Sequence, residues 1–161
     1  MMLINQYIYS KMLIKEHNFL VPLDYENEED KNISIFAGEI VDEEYGNNGL
    51  PYLIFFQGGP GYESPRPITN SGWIKKASQK YRILLLDQRG TGLSTPISQE
   101  SLSGMDDEGI AKYLTFFRAD NIVRDAEHIK KHLIGQNKWS VLGQSFGGFC
   151  AMHYVSFFPD S

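Results

Sequence analysis

The sequence predicts an α/β fold: a mostly parallel sheet with antiparallel opening strands, its faces covered by helices. Three observations carry this. From Leu50 onward, short apolar runs alternate with helical patterns, the order of a sheet whose strands are joined by helical crossovers. Those runs give way to glycine-bearing loops at Gln57–Gly61, Asp87–Ser94 and Gly143–Gly147, and in such sheets ligand chemistry gathers at the carboxyl ends of the strands. Finally, Trp139 to Phe149 leads an apolar strand into a serine at Gly-x-Ser-x-Gly spacing, followed by a further helical pattern.

Taken in order, Phe19–Leu23 reads as a short strand, with Pro22 confining it to an edge or a strand end. The acidic run from Glu26 to Asp30 reads as a solvated loop, since it lacks the glycine and ligand spacing of a calcium site. Ile33–Val41 is a second strand, Asn47-Asn48-Gly49 a turn, and Leu50–Phe56 a third strand, apolar enough for both faces to be buried. Their connections are too short for helical crossovers, so these opening strands are expected to pair antiparallel. Ser71–Gln79 suits a short helix, Arg82–Asp87 a further strand, and Ser94–Glu108 a loop. Two helices follow. In the second, Ile122, Ala126, Ile129 and Leu133 recur at helical spacing, with Asp120 expected to cap its start and Gly135 to end it. Trp139–Leu142 is the last strand, and the final helix runs from Phe146 until Pro159 halts it.

At 161 residues, 42% hydrophobic and 22% charged, the chain has the composition of one globular domain with a core of its own. A net charge of -5 argues against nucleic acid or an anionic membrane as partner. The single cysteine, Cys150, permits no internal disulfide and suits a reducing compartment. Lys11, Lys15 and Glu16 break the N-terminal apolar stretch, so neither a signal peptide nor a membrane span is expected, and the reading is cytoplasmic.

Ser145 is the candidate nucleophile. The spacing of Gly143 and Gly147 about it is that of a nucleophile elbow, a turn so tight that side chains two residues either side are excluded. A helix beginning just after the serine offers backbone N–H groups and the positive end of its dipole. The Phe146 N–H is expected to face an oxyanion, and a second donor should come from Gln57-Gly58-Gly59-Pro60-Gly61. Gly59 is favoured there, with Gly58 the fallback, because Pro60 has no N–H. Asp87 and Arg89 are expected to pair and fix the loop they bracket. His128 and His132 share a helix face, but Ile129 stands where a zinc protease has glutamate, so no metal or cofactor is expected. None of the three glycine clusters completes a nucleotide loop: after Gly143–Gly148, Phe149 replaces the P-loop lysine, and after Gly59-Pro60-Gly61 and Gly90-Thr91-Gly92, Ser64 and Thr95 take the third glycine of a dinucleotide fingerprint. His153 lies eight residues past Ser145 on one helix and points away from its hydroxyl. Cys150 reads as a small buried residue.

Together, Gln57–Gly61, Asp87-Gln88-Arg89-Gly90-Thr91-Gly92-Leu93-Ser94 and Gly143–Gly148 resemble the proline iminopeptidases of the α/β-hydrolase superfamily. Phe117–Asp125 looks like that family's helix before the nucleophile strand, and Val21-Pro22-Leu23-Asp24 resembles the opening of its larger-subunit branch. Many members begin the first loop with histidine where this sequence has Gln57. The resemblance implies a metal-free serine aminopeptidase releasing N-terminal proline from peptides, with Ser145 as nucleophile and Phe146 and Gly59 lending the oxyanion hole. In this fold the triad Asp and His lie on strands beyond the nucleophile helix, and the sequence ends at Ser161. Residues 1–161 are therefore expected to be the N-terminal part of an α/β-hydrolase core, truncated after the elbow helix, without its cap domain or C-terminal triad strands. Such a chain is expected to be inactive alone and to pair with a missing C-terminal half. Two other readings stand beside it: a superfamily esterase acting on a small acyl substrate, and a non-enzymatic fragment pairing its open sheet edge with a partner.

Overall fold

A computed structural model describes residues 1–27, 29, 31–45, 49–67 and 71–161. Its strands are β1 (Met2–Tyr9), β2 (Met12–Pro22), β3 (Asn32–Asp42), β4 (Tyr52–Phe56), β5 (Arg82–Leu86) and β6 (Ser140–Gly143). The helices are α1 (Gly72–Ala77), α2 (Asp107–Thr115), α3 (Ala119–Ile134) and α4 (Phe146–Phe157). All six strands join one sheet in the order β1-β2-β3-β5-β4-β6.

The α/β architecture is the one expected, but the balance of the sheet is mixed. β4 pairs parallel with β5 and β6, whereas β1–β2, β2–β3 and β3–β5 are antiparallel. Two local expectations are corrected. β4 does not join the antiparallel opening strands, because α1 carries the chain across to β5, which takes the place beside β3. The N-terminal hairpin was not foreseen at all. Its turn, Ser10-Lys11, has φ of 51° and 64°, the paired positive values that match strand twist but normally call for Asn or Gly. Pro22 sits at the end of β2, where no ladder bond is lost. Glu28, Asp30, Asn47 and Asn48, which belong to the expected acidic loop and turn, lie outside the described residues.

Side-chain alternation divides the core between the two faces of the sheet. Ile54, Phe56, Leu84 and Leu86 face α3 and α4, packing with Val123, Ala126, Ile129 and Tyr154. Phe55, Ile83 and Leu85 face the other way and pack with Ile74 of α1. Each fully buried aliphatic side chain of this kind contributes about 1.5–3 kcal/mol. The helical periodicity of α3 is realised, and Gly135 ends the helix at φ 62°. Its start is two residues earlier than expected: Arg118 occupies the N-cap without a side-chain bond, and Asp120 falls in the first turn. The turn closing α2, with the Phe117 N–H on the Leu114 carbonyl, is what shifts the boundary. In the first turn the Asp120 charge still favours the helix dipole. No helix among the described residues is long and apolar enough to cross a membrane.

Candidate active site

Three loops meet at the carboxyl ends of β4, β5 and β6. Ser145 stands at the head of α4 with φ 54° and ψ -121°, a backbone conformation that costs a non-glycine residue about 1–3 kcal/mol. The glycines around it explain how that turn is held. A Cβ on Gly143 would run into the Gly147 carbonyl, and one on Gly147 into the Phe56 carbonyl at the end of β4. The Gln144 N–H donates to that same Phe56 carbonyl at 3.2 Å, tying the elbow to the neighbouring strand. Ser145 itself is exposed.

The loop after β4 presses directly on the elbow. A Cβ on Gly58 would lie 2.9 Å from the Gln144 carbonyl oxygen and 3.1 Å from the Ser145 Cβ. Gly59 has φ 123°, open only to glycine, and the Gly59–Pro60 peptide is cis. Phe146 opens α4, and its N–H enters no backbone hydrogen bond among the described residues; the same holds for the Gly58 and Gly59 N–H groups. The two donors expected to face an oxyanion are thus uncommitted within the described residues. Gly58 is buried and Gly59 exposed.

The loop after β5 acts as a brace. The Gln88 side chain donates to the Gln57 carbonyl at 3.0 Å. Asp87, fully buried, accepts from the Ser64 N–H at 2.9 Å, the Leu93 N–H at 2.8 Å and both terminal nitrogens of Arg66. Its carboxylate therefore staples the chain leaving Gly61 to the loop after β5. The expected Asp87–Arg89 pair does not form. Arg89 turns the other way, forks onto Asp125 of α3 at 2.8 and 2.6 Å, and donates to the carbonyls of Pro22, Leu23 and Phe116. With both groups enclosed and fully bonded, neither is free to act as an acid or an anion clamp. Ser64, Arg66 and Asp125 were missed from the sequence because these partners lie 21 to 36 residues away in the chain, and no local spacing signals them.

Other candidates resolve as structural. Cys150 is buried in the core, and burial pushes its thiol up to about 12, so it carries no thiolate at neutral pH. The His128 and His132 rings lie 4.5 Å apart, tilted by 30°, and among the described residues no group of three or more His, Cys, Asp or Glu could hold a metal. His153 lies between Phe149, on which it stacks at 5.6 Å, and Phe157, a tilted contact at 4.5 Å, and makes no hydrogen bond to Ser145 among the described residues. Beside the elbow lies an open depression of about 560 Å³, walled by Pro60, Phe117, Asp120, Phe146, Phe149 and His153 among others. Asp120 Oδ1 is buried without a described partner.

A profile of the α/β-hydrolase fold matches residues 51–161. The chain is 49% identical over 156 residues to a proline iminopeptidase of Aeromonas sobria, covering 96% of this chain and 37% of that protein. It is 42% identical over 163 residues to a proline iminopeptidase of Aspergillus aculeatus, covering 94% and 35%. The chain thus spans little more than a third of the length of these relatives. Among solved structures, a 2-hydroxy-6-oxo-6-phenylhexa-2,4-dienoate hydrolase from Rhodococcus superposes with a TM-score of 0.55 at 18% identity, over 91% of this chain and 43% of that one. At that identity the likeness is one of fold.

Proposed function

The chain belongs to the α/β-hydrolase fold family, and from that premise we propose that it carries the nucleophile and oxyanion half of a serine hydrolase of proline iminopeptidase type. The observation that supports this most is Ser145 at φ 54°, held at the head of α4 against the Gly58 loop. The proline iminopeptidases of Aeromonas sobria and Aspergillus aculeatus, at 49% and 42% identity, favour an aminopeptidase within the superfamily.

In this reading the Ser145 Oγ attacks the carbonyl of an N-terminal prolyl residue. The tetrahedral oxyanion accepts hydrogen bonds from the Phe146 and Gly59 N–H groups, which would stabilise the charge as it develops. Collapse expels the shortened peptide as its amine and leaves a prolyl ester on Ser145, which water then cleaves to free proline. Serine needs a base to take its proton, and no described side chain hydrogen-bonds the Ser145 hydroxyl. The 161-residue chain alone is therefore expected to show at most the residual 10³–10⁴-fold catalysis over water that oxyanion stabilisation and binding give without a base. The triad Asp and His of the working enzyme would come from outside these residues.

A fluorophosphonate probe tests the assignment on the chain as it stands. Slow labelling, lost in Ser145→Ala, is the expected result; labelling that survives the substitution removes Ser145 from the mechanism. Failure of wild-type protein to label at any probe concentration favours a non-catalytic fragment. In the completed hydrolase, cleavage of prolyl amides separates an aminopeptidase from an esterase, which would cleave only the matching ester.

A further inference from the structure

The loop that would lend the Gly59 N–H to an oxyanion has few bonds of its own. Residues 59–63 are exposed, between buried Gly58 and buried Ser64. None of residues 58–63 enters a backbone–backbone hydrogen bond among the described residues. Segments with exposed backbone and few bonds open at low cost. Yet an oxyanion donor works only within about 2.7–3.1 Å of where the charge appears, and a misplacement of about 1 Å can cost about a hundredfold in rate. The position of the Gly59 N–H must therefore be set from the two ends of the span.

Both ends are held by consecutive residues of the loop after β5. At the first, the buried Gln88 side chain donates to the Gln57 carbonyl at 3.0 Å. At the second, Ser64 is fastened at three atoms. Its N–H donates to the Asp87 carboxylate at 2.9 Å, its hydroxyl donates to the Leu86 carbonyl at 2.7 Å, and its carbonyl accepts from Arg66 at 3.0 Å. Arg66 also forks onto the two Asp87 oxygens at 2.9 and 2.5 Å, and such a fork fixes direction as well as distance. The loop that supplies these anchors is itself tied down. The Gln88 carbonyl accepts from the Thr91 N–H and hydroxyl, and the Ser94 hydroxyl donates to the Asp87 carbonyl while accepting from the Phe36 N–H of β3.

We propose that Gln88, Asp87 and Arg66 are positioning residues of the oxyanion hole: acting through Gln57 and Ser64, they hold the two ends of the span that presents the Gly59 N–H. The inference rests on the serine-hydrolase reading of Ser145. None of the three hydrogen-bonds Ser145 among the described residues, so they act on the reaction only through the backbone they hold. The elbow has its own support, since the Gln144 N–H is tied to the Phe56 carbonyl of β4 and Gly147 packs against that same carbonyl. Loss of an anchor therefore leaves the nucleophile where it is and lets the donor wander.

Two readouts on the 161-residue chain test this in Gln88→Met, which keeps the shape but not the donor, and in Arg66→Ala. The first is the rate of Ser145 phosphonylation by a fluorophosphonate, followed over a range of probe concentrations. The rate at saturating probe should fall about tenfold or more, with the half-saturating concentration changed less than twofold. Arg66→Lys, which keeps a cation beside Asp87, should recover a large part of the loss. The second readout is amide hydrogen exchange and nitrogen relaxation, which need no chemistry at Ser145. Gly59, Gly61 and Tyr62 should become more mobile while Leu84 and Val141 keep their protection. If Gln88→Met fails to fold, the Arg66 variants decide, because that side chain is 34% exposed. Wild-type protein that never labels removes the hydrolase reading of Ser145, and the amide readout then decides alone whether these residues hold the span. Unchanged amides at Gly59–Tyr62, a loosened span with an unchanged labelling rate, or equal loss of protection at Leu84 would each overturn the proposal.

Discussion

At the scale of single residues, the elbow depends on where a methyl group can and cannot go. Gly143 and Gly147 face backbone carbonyls so closely that a Cβ has nowhere to move, because the obstructing atoms belong to α4 and β4 rather than to a flexible side chain. Gly148, the next residue in α4, has only the Gly143 carbonyl oxygen at 3.7 Å, an ordinary contact. Adjacent glycines should therefore respond in opposite directions. Gly147→Ala is expected to lose about 3 kcal/mol through overpacking against backbone. Gly148→Ala should gain about 0.5–1 kcal/mol, because alanine in a helix gives up less chain entropy than glycine. Urea midpoints of the two variants read this directly, and equal losses would mean that the elbow is not packed as described. The Gly-x-Ser-x-Gly spacing made Gly143 and Gly147 legible in advance. Asp120 was misread because capping residues and first-turn residues draw on the same side chains, and only the turn at Phe117 tells them apart.

At the scale of elements, buried ion pairs join pieces of chain that the hydrophobic pattern alone leaves free to slide. Arg89 and Asp125 clamp the loop after β5 to α3 and to the end of β2. Across the sheet, Glu39 of β3 accepts from His17 of β2 at 2.9 Å and from Arg82 of β5 at 2.9 Å. Burial works to raise the Glu39 carboxyl, but the hydrogen bonds from His17 and Arg82 and the Arg82 charge prevail and hold it at about 2, below the ordinary 4.5. A carboxyl depressed in the folded state stabilises that state fully above its unfolded value, and the contribution fades as pH falls from about 4.5 to about 2. The amount is on the order of 3 kcal/mol. Urea unfolding of the wild type should therefore weaken steeply across that window. Glu39→Gln should be much less stable at neutral pH, where it leaves Arg82 short of a partner, and should show a flatter acid profile. A parallel pair of profiles would show that Glu39 does not carry the acid response.

At the scale of the whole molecule, the strands most directly legible in the sequence are those whose two faces are both buried. Leu50–Phe56 and Arg82–Asp87 announced themselves as continuous apolar runs, and they became β4 and β5, with Ile54, Phe56, Ile83, Leu84 and Leu86 wholly inaccessible. β1 was missed for the complementary reason: a strand exposed on both faces needs no alternation of apolar and polar residues, so its sequence carries no period to find. The same contrast sets how the molecule should open. β4 and β5 are paired on both sides, so exchange of their amides requires global unfolding, while β1, exposed and at the end of the sheet, should exchange fastest. β6 is the informative case. It pairs with β4 alone, yet a buried chain of hydrogen bonds ties it to α3 and α4: the Trp139 indole donates to the Tyr154 hydroxyl at 2.9 Å, and Tyr154 to Glu127 at 2.7 Å. Tyr154→Phe leaves the indole N–H and the carboxylate without that partner in an enclosed site, which costs about 1–3 kcal/mol. If β6 and α4 open as a local unit, hydrogen exchange at Val141 and Leu142 should quicken about tenfold or more in this variant while Leu84 changes less. Equal acceleration at all three amides would mean that β6 opens only when the whole sheet does, and that the elbow is carried by the global fold rather than by the hydrogen bonds beneath it.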